Sequence, residues 1–196
     1  MDRETESALV QRLAGGDTAA FDEIYDEYRA RLFSFLARLC RRRDLAEDLL
    51  EETWLRLVQH AGRIKPGAPL GPWLYTVARN LYFSYCRSRA VEDERAAGLM
   101  GLWPAASHGP SPFEEACASE LDLRVERALA SLPPHYREAL QLSAIEELAP
   151  AEIAELCGVT PETMRQRLLR ARARMARLLW QGGAVEQNLP LREVAV

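Results

Sequence analysis

Six arginines, Arg165, Arg167, Arg170, Arg172, Arg174 and Arg177, fall between Thr163 and Leu179 with no acidic residue among them. A guanidinium is permanently charged and offers a planar fork of donors, which suits phosphates and the two acceptors of guanine. Gln166 stands inside the run and can pair in the same two-point manner with adenine. A second set, Thr76, Asn80, Phe83 and Arg87, repeats on one helical stripe with Arg79 and Tyr82 beside it. Amide, aromatic and cationic groups together suit unstacked single-stranded bases and their backbone. The third set is acidic: Asp44, Glu47, Asp48, Glu51 and Glu52. Like charges at i,i+4, here Glu47/Glu51 and Asp48/Glu52, weaken an isolated helix slightly, so their accumulation points to a basic partner. The plainer alternatives are a solvated arginine face and an acidic face favoured by the helix dipole.

Catalysis finds no comparable set. Cys40, Cys86, Cys117 and Cys157 are far apart, form no CxxC pair and read as small apolar residues. No redox role is expected of Cys117, near the end of a linker segment. His60, His108 and His135 are equally scattered, and no Ser, His, Cys or carboxylate constellation can be assembled. The expectation is a protein that is not an enzyme and holds neither cofactor nor metal. Its 196 residues carry a formal net charge of −4, which taken whole speaks against nucleic acid. The local arginine density is the feature to read instead. Lys65 is the only lysine. The polar, acidic N-terminus is no signal peptide, and no apolar run approaches the ~20 residues of a membrane span, so a cytoplasmic location without membrane insertion is expected.

The elements that must position these groups are helical, because apolar residues recur with a 3.6-residue period and nowhere alternate usefully. A short helix near Leu9–Ala14 ends at Gly15-Gly16, and Asp17 caps the next, whose face is Phe21, Ile24, Tyr25, Tyr28, Leu32, Phe35, Leu36 and Leu39. A third helix starts at Asp44 and keeps Leu45, Leu49, Leu50, Trp54, Leu57 and Val58 on one side. Gly62 to Pro69 is a loop by its glycines and prolines. Pro72 suits the first position of a fourth helix, with Trp73, Val77 and Leu81 inward, running to about Arg89. Residues 92–115, broken by glycine and proline, form a flexible or extended linker. Helices resume with Leu121, Val125, Ala128, Leu129 and Leu132, restart at Pro133-Pro134 through Tyr136, Leu140 and Ile145, and again at Pro150 with Ile153, Ala154 and Leu156.

The last restart completes a helix-turn-helix. Gly158 supplies the tight or left-handed backbone of the turn, Val159 tucks beneath it, Thr160 caps the next helix and Pro161 opens it. Met164, Leu168, Ala171, Met175 and Leu178 face inward, leaving Glu162, Thr163, Arg165, Gln166, Arg167 and Arg170 outward, where such a helix meets base edges in the major groove. The fold class is therefore all-α: two small helical domains joined by a flexible linker, the C-terminal one a helix-turn-helix. The domains are residues 1–91 and 116–181, with a short tail at 182–196.

Five motifs stand in the order and spacing of one family: FDEIYDEY from Phe21, DLAEDLLEETWLRL from Asp44, WLYTVARN from Trp73, LPPHYREAL from Leu132, and EIAELCGVTPETMRQRLLRARAR from Glu152. Between about Leu9 and Leu179 the chain resembles the extracytoplasmic-function (group IV) sigma factors of the bacterial sigma-70 type. The resemblance implies that it directs RNA polymerase to promoters, with residues 1–91 as region 2 and 116–181 as region 4. It implies docking of Asp48, Glu51 and Glu52 on the clamp helices of the β′ subunit, and a contact with the β flap. The family's usual glutamine is Glu51 here. It further implies capture of the melted −10 strand at the loop and fourth helix, through Asn80 with Arg63, Lys65, Arg79 and Arg87, so that bases flipped from the stack are held. The −35 element is read through Thr163, Arg165, Gln166, Arg167 and Arg170, where the family's common Gly-Thr-Val-Lys is Glu162-Thr163-Met164-Arg165. The linker would thread toward the active-site and RNA-exit channels, and an anti-sigma factor is the implied inhibitor. The rivals are a stand-alone helix-turn-helix regulator with a sensing domain, and an adaptor whose bundle serves only protein contacts.

Overall fold

The computed structural model describes residues 2–97, 119–144 and 146–186. Among them the secondary structure is helical with no strand: α1 (Arg3–Ala14), α2 (Thr18–Cys40), α3 (Arg43–His60), a 3-10 turn (Ala61–Arg63), α4 (Leu70–Ala97), α5 (Glu120–Ala130), α6 (Pro134–Ala144), α7 (Pro150–Cys157) and α8 (Pro161–Glu186). The chain divides into two compact units, one carrying α1–α4 and the other the bulk of α5–α8. The all-α, two-unit expectation holds.

In the first unit α2 is the spine, with α1, α3 and α4 packed on it. Asp17 caps α2 by accepting from the amides of Ala19 (3.0 Å) and Ala20 (3.4 Å). Its core face is the one the period predicts: Ile24, Tyr28, Leu32, Phe35, Leu36 and Leu39 are all buried. Phe21 and Tyr25, half-buried, close on Trp54 of α3 with ring centroids 6.0 and 5.2 Å away.

Several expectations need correction. Helix α1 begins at Arg3, one to two turns before Leu9, because Asp2 caps it through the Thr5 amide at 2.9 Å. Helix α4 begins at Leu70, so Pro72 is its third residue rather than its first. Its buried face is then Leu70, Leu74, Tyr75, Ala78 and Tyr82, while Trp73, Val77 and Leu81 are half-buried. The two ladders differ by one residue, a rotation of ~100° on a helix, and apolar spacing alone fits both. Tyr82, read as flanking the polar stripe, belongs to the core. Val58, placed by its spacing on the inner side of α3, is exposed, as are Leu121 and Val125 at the helical spacing of α5. Helix α4 continues to Ala97, past the expected end near Arg89, and α8 continues to Glu186. The rest of the expected linker and tail, with Cys117 and Ile145, lies outside the described residues.

In the second unit α8 packs on α5 and α6. Arg137 of α6 is buried and donates to the carbonyls of Leu129 (3.2 Å), Ala130 (2.6 Å) and Leu132 (3.0 Å). Two of these, Leu129 and Ala130, are among the last carbonyls of α5, which have no α-helical donor of their own.

Candidate nucleic-acid interface

The helix-turn-helix forms as its residues dictate. Gly158 takes φ +65°, and the Val159 amide donates back to Ala154 at 2.9 Å. Thr160 Oγ1 accepts from the Thr163 amide at 3.2 Å, and Pro161 is the first residue of α8. Met164, Leu168 and Ala171 are buried, with Met175 and Leu178 half-buried, so the inner face stands as expected. Glu162, Thr163, Arg165, Gln166 and Arg170 are exposed. Arg167 is half-buried, and its charge, after burial, helps lower the pKa of His135 on α6.

Successive side chains on a helix diverge by ~100°, so Arg165 and Arg167 flank Gln166 on opposite sides. Glu162 binds two of the expected readers: it accepts from Arg165 at 2.8 Å and from the Gln166 amide at 3.4 Å. Thr163 shares its hydroxyl with Thr160 at 2.8 Å. Arg170, Arg174 and Arg177 have no carboxylate partner among the described residues and are available to phosphates.

The second surface lies on α4 and the loop before it. Trp73, Thr76, Asn80, Phe83 and Arg87 form one stripe opposite the buried face, at spacings of three and four. Trp73 thus joins the surface on which the sequence placed the other four. Asn80 Oδ1 accepts from Arg79 at 3.1 Å, which leaves the two Nδ2 donors for a base. The Arg79 guanidinium lies 4.7 Å from the centre of the Phe83 ring, so cation, amide and aromatic are brought together. Arg63 ends the 3-10 turn and Lys65 opens a tight turn, both exposed. In that turn the Ala68 amide bonds the Lys65 carbonyl at 3.0 Å, and Gly67 has φ +78° after Pro66. This is the type II pattern, with proline second and glycine third. A cleft of ≈ 200 Å³ separates the loop residues Ile64, Lys65 and Pro66 from Ser7, Val10 and Gln11 of α1.

The third surface is on α3. Asp44 pairs with Arg42, which holds its carboxyl below the usual range, Glu47 with Arg43 at 2.9 Å, and Glu52 with Arg56 at 2.7 Å. Asp48 and Glu51 are exposed and have no ion-pair partner among the described residues. Leu55 and Val58, each 55% exposed, continue the same stripe toward the C-terminal end. The apolar period places Val58 with the core and leaves Leu55 unassigned, although the 48, 51, 55, 58 spacing is visible in the sequence. Among the described residues no group of three or more His, Cys, Asp or Glu side chains is placed to hold a metal ion.

Two family models match along the chain: sigma-70 region 2 over residues 24–92 and sigma-70 region 4 over residues 122–175. The RNA polymerase sigma factor CarQ of Myxococcus xanthus is 32% identical over 170 residues, which cover 87% of this chain and 95% of that protein. The ECF RNA polymerase sigma factor SigM of Bacillus subtilis is 32% identical over 164 residues, covering 82% and 96%. Among solved structures, the sigma factor RpoE of Bartonella quintana, in complex with the anti-sigma factor NepR, aligns with a TM-score of 0.67 at 26% identity, covering 81% and 96%. The fold and its helix-turn-helix define a sigma-70-type transcription factor. This chain belongs to the ECF RNA polymerase sigma factors, whose function is promoter-specific initiation of transcription.

Proposed function

We propose that the chain performs this function through three surfaces with separate tasks. Helix α8 enters the major groove of the −35 element, with Arg165 and Gln166 at base edges and Thr163, Arg167 and Arg170 on the phosphates beside them. The loop with Arg63 and Lys65, together with Arg79, Asn80 and Arg87 of α4, takes the melted non-template strand of the −10 element. Unstacking bases costs a few kcal/mol, and capture on aromatic and amide groups offsets it. Asp48, Glu51 and Glu52 dock on the β′ clamp helices, extended by the apolar pair Leu55 and Val58. Region 4 contacts the β flap, and the segment between the units runs through the polymerase channels. The chain works in the cytoplasm, performs no covalent chemistry itself, and is restrained by an anti-sigma factor, as RpoE is found with NepR. No described helix is long and apolar enough to cross a membrane.

The single observation that carries this reading is the capped restart at Thr160, which buries Met164 and Leu168 and leaves Arg165 and Gln166 outward. The test combines purified protein, bacterial core polymerase and a library of random promoter-length DNA, with sequencing of transcript start sites. Paired −35 and −10 elements are expected, and both Asn80→Ala and Arg165→Ala should lose them. Tight DNA binding by the protein alone, without core-dependent initiation, would establish the stand-alone regulator instead.

A further inference from the structure

Helix α1 has no part in the three surfaces, yet it carries a buried carboxylate. Glu6 is 8% exposed, and its Oε2 accepts from the backbone amide of Leu70, the first residue of α4, at 3.0 Å. Its Oε1 accepts a short hydrogen bond from the Tyr28 hydroxyl. One residue on, Ser7 Oγ accepts from the Gly67 amide at 3.1 Å. Adjacent side chains of α1 therefore hold two backbone donors of one loop, across 60 and 64 residues of sequence. The Leu70 amide has no acceptor within α4, because the first amides of any helix lack partners inside it. A carboxylate there also meets the positive end of the α4 dipole.

The surroundings favour this one arrangement. A Cβ on Gly71 would lie 3.3 Å from the Tyr28 ring, so glycine there lets the ring pack closely against the start of α4. Burial, followed by the hydrogen bond to Glu6, raises the Tyr28 hydroxyl well above its ordinary range and keeps it a donor. Ser7 also lines the cleft that faces Ile64 and Lys65. Without these anchors the turn at Lys65–Ala68 would be held chiefly by its one internal hydrogen bond. Surface loops of that kind open at little cost.

We propose that Glu6 is a positioning residue for strand capture: it fixes the loop 64–69 against α1 and sets Arg63 and Lys65 in register with Asn80. The proposal rests on the reading of that loop as the surface that takes the melted strand. It assigns α1 the role of platform for the loop.

The full chain and its Glu6→Ala, Glu6→Gln and Ser7→Ala variants would be compared in two measurements. One is hydrogen exchange of peptides spanning residues 64–71. The other is the affinity of each variant, bound to core polymerase, for a fork probe exposing the −10 non-template strand of the strongest promoter from the selection above. Glu6→Ala is expected to speed exchange in 64–71 and to weaken fork binding, each on the order of tenfold, the effect of losing one buried acceptor. Affinity for core should stay unchanged, and Glu6→Gln, whose carbonyl still accepts from Leu70, should recover most of the loss. Unchanged exchange in 64–71, or fast exchange with undiminished fork binding, would overturn the positioning role. Should Glu6→Ala expose the whole first unit to exchange, Ser7→Ala decides. It must weaken fork binding with the rest of the unit still protected, and no loss there overturns the proposal. Equal affinity of the wild type for the fork and for its fully duplex counterpart would instead overturn the strand-capture reading, and the positioning role with it.

Discussion

Replacing Arg137 with methionine should destabilise the helix-turn-helix unit while leaving the first unit intact. The guanidinium is 6% exposed and donates to three carbonyls at 2.6 to 3.2 Å, all at or just beyond the end of α5. Methionine matches the length of the stem but supplies no donor, so all three carbonyls lose this partner. A hydrogen bond to a charged group contributes roughly 1.5–3 kcal/mol, and such bonds to one group do not add. Leaving a buried acceptor without its donor costs about 1–3 kcal/mol, and three carbonyls are affected, so a loss of about 3 kcal/mol is expected. Small domains have only about 5–15 kcal/mol in total, so the variant should spend a substantial time open. At 3 kcal/mol, exchange of the slowest amides in α5, α6 and α8 accelerates on the order of a hundredfold. Peptides from α1–α4 should exchange as in the wild type, and −35-dependent initiation should fall with the second unit. Arg137→Lys keeps the charge but reaches fewer carbonyls, and should fall between the two. If Arg137→Met accelerated only the Leu129–Leu132 peptide, or accelerated exchange by less than about fivefold, roughly 1 kcal/mol, the reasoning would be refuted. Arg137 would then be a local cap and not a support of the unit.

Three further outcomes are expected. Asn80→Asp removes both Nδ2 donors yet keeps an acceptor for Arg79, so holoenzyme affinity for a −10 fork probe should fall about ten- to a hundredfold; an unchanged affinity on the probe would remove Asn80 from the capture surface. Leu55→Glu adds charge to an exposed site and should not destabilise the fold, but it should weaken binding to core polymerase by on the order of tenfold in a fluorescence titration; equal binding would confine the docking face to the acids. Arg170→Ala should lower the slope of log affinity against log salt by about one for −35 duplexes while preserving sequence preference; a changed preference would move Arg170 from phosphate to base.

The helix-turn-helix was legible because every cue in it is local. Gly158, Thr160 and Pro161 each act on their own backbone, and Met164, Leu168 and Ala171 follow one period from a defined start. The same holds for Asp17 and the long face of α2. The register of α4 was not legible, because Trp73, Val77 and Leu81 repeat by fours as regularly as Leu70, Leu74, Ala78 and Tyr82. What decides between them is distant in sequence: Glu6 on the Leu70 amide and Tyr28 against Gly71. Val58, Leu121 and Val125 expose a different limit. Periodicity marks an apolar residue as belonging to a face, but it does not say whether the face is covered by this chain or by a partner. The Glu162–Arg165 pair follows from spacing, since residues three apart are neighbours on a helix. The Arg79–Asn80 bond does not, because adjacent positions diverge and only the long guanidinium bridges them.

These pairings bear on how an acidic protein is kept from binding DNA indiscriminately. With a formal net charge of −4, the chain taken as a whole does not attract a polyanion, and only its arginine-rich helix does so locally. The residues proposed to read DNA are also partly engaged: Glu162 holds Arg165 and Gln166, and Asn80 accepts from Arg79. Exposed ion pairs are worth only about 0–1 kcal/mol, so on the proposed reading Glu162 would yield Arg165 to a guanine while competing with weak, non-specific phosphate contacts. Two modest DNA surfaces then become effective only when a common platform holds both over one promoter. Linked sites of this kind gain about 10²–10⁴ in avidity from effective concentration alone. On this reading Asp48, Glu51, Leu55 and Val58 set the conditions under which the DNA-reading residues act. Loss of the docking stripe should therefore silence both promoter elements together, with neither reading surface altered.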